Sequence, residues 1–276
     1  MKYIDCIQGT DEWHRARAGK TTASMFAVAV SQTGGLTEQQ AVYVNAIKVG
    51  KTEAEALVLA GYKAKPKATA VEKALLGQPV GEPSGAAISY SVDLARERIS
   101  GGPVGDTFQT YAMKRGTIEE ANARIRYEDR RDCMVHEAGF ATTDDGLFGY
   151  STDGLVERDG MVEIKTPDSG SKILSIIRTG DISEYFDQIQ GGLWVTGRQW
   201  CDLIVYLPDL ASVGNDLYIR RVWRDDAYIA ELVSALWAFE RIVQANVKLL
   251  SSPFTSNTDL GAAMASTQDE RILEAA

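Results

Sequence analysis

Gly149–Lys165 reads GYSTDGLVERDGMVEIK, two runs of alternating side chains on either side of the turn-forming residues 157–160. This pattern predicts an antiparallel β-hairpin. Because successive side chains on a strand point to opposite faces, Glu163 and Lys165 share one face while Ile164 points into the core. Pairing about residues 158–159 brings Asp153 beside Glu163 and Lys165. The sequence therefore predicts two carboxylates and one ammonium group on one face of the hairpin.

These three side chains suit a divalent cation. Mg²⁺ prefers hard oxygen ligands and usually keeps several waters, so two carboxylates and a backbone carbonyl fit it, with Mn²⁺ as the alternative ion. The ion lowers the pKa of a bound water, and a neighbouring lysine orients or deprotonates that water because its own pKa drops readily in a positive, partly dry site. Glu120, on the preceding predicted helix, adds a further acid. From the hairpin alone, a solvated surface salt bridge is an equally good interpretation.

The composition limits the class of protein. The chain has 276 residues and is 45% hydrophobic, enough for one large domain or two modest ones. A net charge of −9 disfavours a general nucleic-acid coat protein, whereas a carboxylate site that holds a cation is acidic by nature. Cys6, Cys133 and Cys201 form no CxxC pair, and His14 and His136 have no second histidine at ligand spacing. We find no signal peptide or bilayer-length apolar run, so we expect a cytoplasmic protein without a membrane partner.

The pattern around the hairpin predicts an α/β (α+β) fold. The expected helices are 86–98, 107–130, 171–179, 183–196 and 225–249, and the expected strands are 133–140, 147–156, 161–165, 200–207 and 217–222. Residues 36–79, here called the helical insertion, predict a separate small helical unit. Residues 251–276 are small and polar, which is typical of a loose tail. We therefore expect a main domain of residues 1–35 and 80–250, the helical insertion, and the tail.

Four segments together resemble the phage lambda exonuclease and YqaJ-type viral recombinase family, which has the PD-(D/E)xK nuclease fold. In chain order they are Gln8-Gly9-Thr10-Asp11-Glu12-Trp13 with Arg17-Ala18-Gly19 and Thr22-Ala23-Ser24; Arg115-Gly116 with Glu120 and Arg124; Ser151-Thr152-Asp153-Gly154 with Glu163-Ile164-Lys165; and Tyr185 with Gln188-Ile189-Gln190 and Trp194-Val195-Thr196-Gly197. Their order and spacing match the family from residue 8 to about residue 207.

The resemblance implies a restriction-endonuclease-like core, in which a mixed central sheet is flanked by helices. It implies that Asp153, Glu163 and the carbonyl group of Ile164 hold the metal ion. It also implies that Lys165 serves the water nucleophile and that Glu120 supports the metal site.

The resemblance further implies that Arg17, Ser24, Ser151 and Gln188 hold a 5′-terminal phosphate. A guanidinium group binds phosphate oxygens as a fork, and Thr22 or Ser24 at the start of a helix would add backbone amides. Without the family, Arg17 is alternatively a structural ion-pair partner and Gln188 a solvated helix residue.

Members of this family digest one strand of duplex DNA from a 5′ end and leave a 3′ single strand for an annealing protein. The resemblance thus implies an Mg²⁺-dependent exonuclease, encoded by a phage or prophage, that acts on double-stranded DNA ends in the bacterial cytoplasm. It also implies a homo-oligomer, by resemblance a ring of three subunits. An endonuclease of the same fold and a non-catalytic DNA-binding or partner-loading module are the alternatives, and the intact Asp153, Glu163 and Lys165 set counts against the second.

The helical insertion departs from the family pattern. Its stretch from Leu36 to Tyr62 is similar to the helix-turn-helix of small phage terminase subunits, and a basic edge follows at Lys63, Lys65, Lys67 and Lys73. The insertion is therefore either an element that binds DNA or a partner, or a helical hairpin that only packs on the main domain. An insertion near the DNA entrance would also alter subunit contacts in a ring.

Overall fold

The computed structural model describes residues 1–78, 80–105 and 111–253, with side chains left aside for 111–118. Its strands are β1 (Lys2–Ile4), β2 (Thr21–Thr22), β3 (Gln32–Thr33), β4 (Glu82–Pro83), β5 (Val135–His136), β6 (Phe140–Thr142), β7 (Phe148–Tyr150), β8 (Gly154–Val156), β9 (Gly160–Lys165), β10 (Trp200–Tyr206) and β11 (Leu217–Trp223). Its helices are α1 (Asp11–Arg17), α2 (Phe26–Ala29), α3 (Glu38–Lys48), α4 (Glu53–Ala60), α5 (Thr69–Leu75), α6 (Gly85–Ser100), α7 (Tyr111–Arg131), α8 (Gly170–Thr179), α9 (Ser183–Thr196) and α10 (Asp226–Leu250). None of the helices in this described part is both long enough and apolar enough to cross a membrane.

A mixed five-stranded sheet with the order β11-β10-β9-β8-β5 lies at the centre of the fold. β9 and β10 are parallel, and the other neighbouring strands pair antiparallel. A parallel pair needs a long crossover, which α8 and α9 provide here. β8 and β9 form the predicted hairpin, with Gly154 opposite Val162 and Val156 opposite Gly160. The predictions of this hairpin and of a mixed sheet flanked by helices are confirmed.

Helices cover both faces of this sheet. On one face Met161 and Leu203 pack with residues of α9 and α10 in the larger core. On the other face Ile164 and Ile204 pack with Tyr127 of α7. β9 is therefore buried along almost its whole length, and even Glu163 is only 2% exposed. A carboxylate at this depth needs hydrogen-bonding partners, because an unpaired buried charge is costly.

The prediction of one strand over residues 147–156 is wrong. β7 belongs to a second, four-stranded sheet with the order β1-β6-β7-β2, whereas β8 belongs to the five-stranded sheet. The chain crosses from one sheet to the other at residues 151–153. The predicted strand 133–140 is wrong in the same way, since β5 and β6 at its two ends lie in different sheets.

Local packing explains why the strand breaks at residues 151–153. A Cβ on Gly149 would lie 2.1 Å from Cζ of Phe140, so this position accepts only glycine. The Thr152 hydroxyl then lies 2.9 Å from the Gly154 carbonyl oxygen and 3.2 Å from that of Val162. The Gln8 amide donates to the Thr152 carbonyl at 2.9 Å. These bonds replace the strand pairing that the crossing chain gives up.

The helices α3, α4 and α5 lie in the helical insertion and share a core that is distinct from the two cores of the central sheet. Tyr43, Val44 and Val71 are among its buried members. Both ends of the insertion meet in the β3–β4 ribbon. The division of the chain into a main domain, an insertion and a tail stays a prediction, and residues 107–110 and 254–276 of the predicted helix and tail lie outside the described residues.

A buried ion pair joins α6 to α10. Two guanidinium nitrogens of Arg98 donate to the Glu240 carboxylate at 2.6 and 2.8 Å, and the Glu240 side chain is 1% exposed. We expect Arg98→Met to lower the free energy of unfolding by about 3–5 kcal/mol, because it leaves the Glu240 charge buried without its partner. Urea denaturation would measure the loss.

Arg96→Met is the matched control on the same helix. Arg96 pairs with Asp93 at 3.3 Å, and both side chains are more than half exposed. We expect this variant to stay within about 0.5 kcal/mol of the wild type. If both variants lost the same free energy of unfolding, the buried pair would not stabilise the fold more than the exposed pair does.

Candidate active site

The Glu163 carboxylate lies at the centre of a set of polar side chains from three elements. On β9 itself, Lys165 Nζ is 2.7 Å from Glu163 Oε1. From α9, the Gln188 amide donates to the same oxygen at 2.6 Å. From β7, the Tyr150 hydroxyl donates to Glu163 Oε2 at 2.5 Å. Three donors therefore compensate the burial of this carboxylate.

Asp153 lies beside Glu163 at the start of β8. Its Oδ2 accepts a hydrogen bond from the backbone N–H of Ile164 at 2.6 Å. Burial, and then the negative charges of Glu163 and Glu120, raise the pKa of Asp153 well above its usual range. The structure thus brings Asp153, Glu163 and Lys165 together, as the hairpin register predicts.

Glu120 on α7 is the third carboxylate of the site. Burial raises its pKa, and the charge of Glu163 adds to the effect, while Arg124 opposes it. Arg124 donates to Glu120 Oε1 at 2.7 Å and to the Asp153 carbonyl at 3.1 Å. The raised pKa values of Asp153 and Glu120 mean that negative charge is crowded at this point of the fold.

Lys165 keeps its proton in this arrangement. Burial alone would lower the pKa of Lys165, but the carboxylates of Glu163 and Asp153 outweigh that effect and raise it. The predicted lowering of the lysine pKa applies to a site that holds a cation, and it stays a prediction. The two carboxylates act in the opposite direction because a nearby opposite charge favours the charged form. With its ammonium group 2.7 Å from Glu163 Oε1, Lys165 is placed to orient a water or a phosphate oxygen beside the carboxylates.

The chemistry of these residues fits a divalent cation, although their described arrangement is not a ready-made metal cage. Asp153, Glu163 and Glu120 are hard oxygen donors, and a cation would relieve the repulsion that raises the carboxylate pKa values. In the described part of the chain, no three His, Cys, Asp or Glu side chains are close enough to hold a metal ion. Lys165 Nζ and the Gln188 amide both contact Glu163 Oε1, which is one of the oxygens that a metal ion would need.

A second set of polar side chains surrounds Arg17 at the end of α1. Its guanidinium nitrogens donate to the hydroxyl oxygens of Ser151 and Thr22, each at 3.3 Å. Thr22 Oγ1 is 3.4 Å from Ser24 Oγ. The guanidinium carbon lies 4.2 Å from the centre of the Trp13 ring. Arg17, Thr22, Ser24 and Ser151 are thus contiguous.

Arg17 carries a partly buried positive charge with weak partners. Burial lowers its pKa. None of the Asp and Glu residues that the structure describes forms an ion pair with it, so the structural ion-pair interpretation gains no support. The guanidinium group makes only long hydrogen bonds to two neutral hydroxyl groups. An anionic ligand would form stronger, charge-assisted bonds with it.

One expectation about this second set needs correction. Thr22 lies on β2 and precedes a short 3₁₀ helix, Ala23–Met25, without capping it by its side chain, so no long helix begins there to offer a strong dipole. Gln188 contacts Lys165 and Glu163, and its contact with a 5′-terminal phosphate stays a prediction. It is therefore not a solvated helix residue, and it lies where the carboxylates and the crossing residues 151–153 meet.

Sequence reasoning missed Trp13 and Tyr150. The Trp13 indole N–H donates to Ser151 Oγ at 2.7 Å and its ring supports Arg17. Trp13 stands in a segment that the resemblance already used, so its position was a usable signal. Tyr150 offered no signal, because a continuous strand would have placed it on the face opposite Asp153.

Residues 12–199 match the YqaJ-like viral recombinase domain. The crystal structure of LHK-Exo in complex with dAMP is 28% identical, with a TM-score of 0.63 over 87% of this chain and 96% of that chain. A second crystal structure of LHK-Exo, which is an alkaline exonuclease from Laribacter hongkongensis, has a TM-score of 0.60 at the same identity and coverage. A phage-related exonuclease from Haemophilus somnus 129PT shares the fold at 12% identity, with a TM-score of 0.53 over 84% of this chain and 96% of that chain. The search of curated proteins returned no match.

The hydroxyl of Tyr150 can be removed without changing the packing of its ring. We expect Tyr150→Phe to lower the free energy of unfolding by about 1–3 kcal/mol, because Glu163 then loses one donor in a buried position. Tyr3→Phe is the control, since Tyr3 is 45% exposed on β1. Urea denaturation of both variants tests the point, and no difference between them would show that the hydroxyl does not hold Glu163.

Proposed function

Because the chain belongs to the YqaJ-like viral recombinase family, we propose that it degrades one strand of duplex DNA from a 5′ end and leaves a 3′ single strand, in a reaction that needs Mg²⁺. Its relation to alkaline exonucleases makes it a deoxyribonuclease, with a general role as a DNA exonuclease. The metal, the polarity and the product are the parts we propose. The convergence of Asp153, Glu163 and Lys165 at a buried point carries this proposal.

The carboxylate set is assigned to metal binding and hydrolysis. Asp153, Glu163 and the carbonyl oxygen of Ile164 would hold Mg²⁺, with Mn²⁺ as the alternative, and Glu120 would support them directly or through water. When bound, the ion supplies a water of lowered pKa and stabilises charge on the phosphate. Lys165 Nζ would orient the attacking water or take a proton from it. Gln188 fixes both Lys165 and Glu163, at 3.1 and 2.6 Å.

The hydroxyl and guanidinium set is assigned to the 5′-terminal phosphate. Arg17 would form charge-assisted bonds to phosphate oxygens, Ser151, Ser24 and Thr22 would add hydroxyl donors, and Gln188 would add its side-chain amide. Ser151 precedes Asp153 by two residues, so a phosphate held by Arg17 lies near the carboxylates. Recognition of the terminal phosphate next to the hydrolytic site is what gives an exonuclease its 5′ polarity.

The cellular setting follows from the family and stays part of the proposal. Double-stranded DNA ends are the substrate, and a single-strand annealing protein would take up the 3′ strand. A homo-oligomer, a ring of three subunits by resemblance, would keep an acidic chain on DNA by encircling it, because attraction of phosphate to a chain of charge −9 is weak. The place of action would be the cytoplasm of the bacterial host.

Lys165 is the first residue to test. We expect Lys165→Ala to reduce digestion of linear duplex DNA by at least about 100-fold while DNA binding is retained, because the oriented water is lost but most phosphate contacts remain. A timed assay of acid-soluble nucleotide release measures the loss.

Lys172→Ala is its control. Lys172 is exposed on α8 and pairs with the exposed Glu184. Wild-type digestion by Lys165→Ala would refute the assigned role, and cleavage of closed circular duplex by the wild type would favour the endonuclease alternative.

Arg17 tests the 5′ phosphate. The wild type should digest 5′-phosphorylated duplex faster than 5′-hydroxyl duplex, and Arg17→Gln should reduce this preference by about 10- to 100-fold, the effect of losing a charge-assisted bond. Arg15→Gln on the same helix is the control, since Arg15 is exposed. Initial rates on the two substrates give the ratio, and an unchanged ratio in Arg17→Gln would remove the phosphate role.

A further inference from the structure

The charge of the chain is distributed unevenly. Within residues 36–79, six lysines stand against four glutamates, with no aspartate or arginine, so the helical insertion has a net charge of +2. The remainder of the chain therefore carries −11. A basic unit inside an acidic chain is a candidate surface for a polyanion.

The basic residues concentrate where α4 leads to α5. Lys63, Lys65 and Lys67 lie in this connection and are exposed, while Tyr62, Pro66 and Ala68 between and beside them are partly buried. Tyr62 packs edge-on against Tyr43, with ring centres 6.3 Å apart. The connection is thus anchored by its apolar residues and turns its lysines outward. No acidic residue occurs between positions 56 and 71.

These ammonium groups form no ion pair within the described part of the protein. None of the acidic side chains that the structure describes forms an ion pair with Lys63, Lys65 or Lys67. The opposite end of α4 differs, because Lys48 and Lys51 are followed within the sequence by Glu53 and Glu55. Hydrogen bonds from Thr52, and then the charge of Lys51, lower the pKa of Glu55. The same helix pair therefore has a lysine-rich end and a mixed end.

The insertion can present this end without disturbing the central sheet. Its core, around Tyr43, Val44 and Val71, shares no residue with the cores of that sheet. It is attached through the β3–β4 ribbon, where Thr33 pairs with Glu82. Next to the ribbon the hydroxyls of Ser31 and Ser84 are 2.6 Å apart, which holds its two ends together.

We propose that the lysine-rich end of the helical insertion, formed by Lys63, Lys65 and Lys67, binds the phosphate backbone of duplex DNA outside the active site. This inference rests on the proposed function for its choice of polyanion. Lysines act as point charges and contact phosphates without reading bases. The first turn of α4 is acidic, with Glu53 and Glu55, so it is unsuited to base recognition. The contact is therefore independent of DNA sequence.

The test is the salt dependence of binding. Lys63→Gln/Lys65→Gln/Lys67→Gln should reduce the slope of log Kobs against log salt concentration by about 2.7, or 0.9 for each lost phosphate contact. The probe is a blunt 40-base-pair duplex without divalent ions, and Kobs is measured by fluorescence anisotropy. Lys48→Gln/Lys51→Gln is the control, and its slope should change by less than 0.5. An unchanged slope in the triple variant overturns the proposal.

Hydrolysis of a short 5′-phosphorylated duplex separates this inference from the proposed function. The triple variant should hydrolyse a 10-base-pair duplex at the wild-type rate, because the insertion lies outside the active site. A loss of that activity with an intact fold would overturn the accessory role. A reduced slope in a protein whose wild type digests no DNA would support the inference and refute the proposed function.

Discussion

The burial of the Glu163 carboxylate is the constraint on which the site depends. β9 has a helix layer on each face, so a side chain in its middle has no access to bulk water. A carboxylate there must be satisfied by donors from the protein, and the donors come from β7, β9 and α9. The position of the crossover helix α9 relative to the second sheet is therefore tied to one charged side chain.

The same constraint explains why the two sheets meet where they do. Tyr150 ends β7 and Asp153 precedes β8, and both reach the region of Glu163 because the chain changes sheets between them. Ser151 lies within this crossing and accepts bonds from Trp13 and Arg17. A short irregular segment thereby connects the carboxylate set to the guanidinium set, which a regular strand could not do because its side chains alternate.

The parts that could be predicted from the sequence are those governed by local rules. The turn at residues 157–160 sets the register of β8 and β9, so the position of Asp153 beside Glu163 follows from counting. The break at residues 151–153 depends on Phe140 packing on Gly149 and on Gln8 reaching the Thr152 carbonyl, which are contacts between distant parts of the chain. The pKa of Lys165 likewise depends on how closely two carboxylates approach it. Tertiary contacts of this kind leave no periodic pattern in the sequence.

Net charge alone is a poor guide to how this chain meets DNA. At physiological salt the Debye length is about 8 Å, so an exposed carboxylate farther away than that contributes little at a given phosphate. What matters is the charge within one Debye length of each contact. The connection between α4 and α5 carries three lysines and no acid. A protein with a charge of −9 can therefore present positive potential at this connection, while the acidic remainder limits nonspecific adhesion elsewhere.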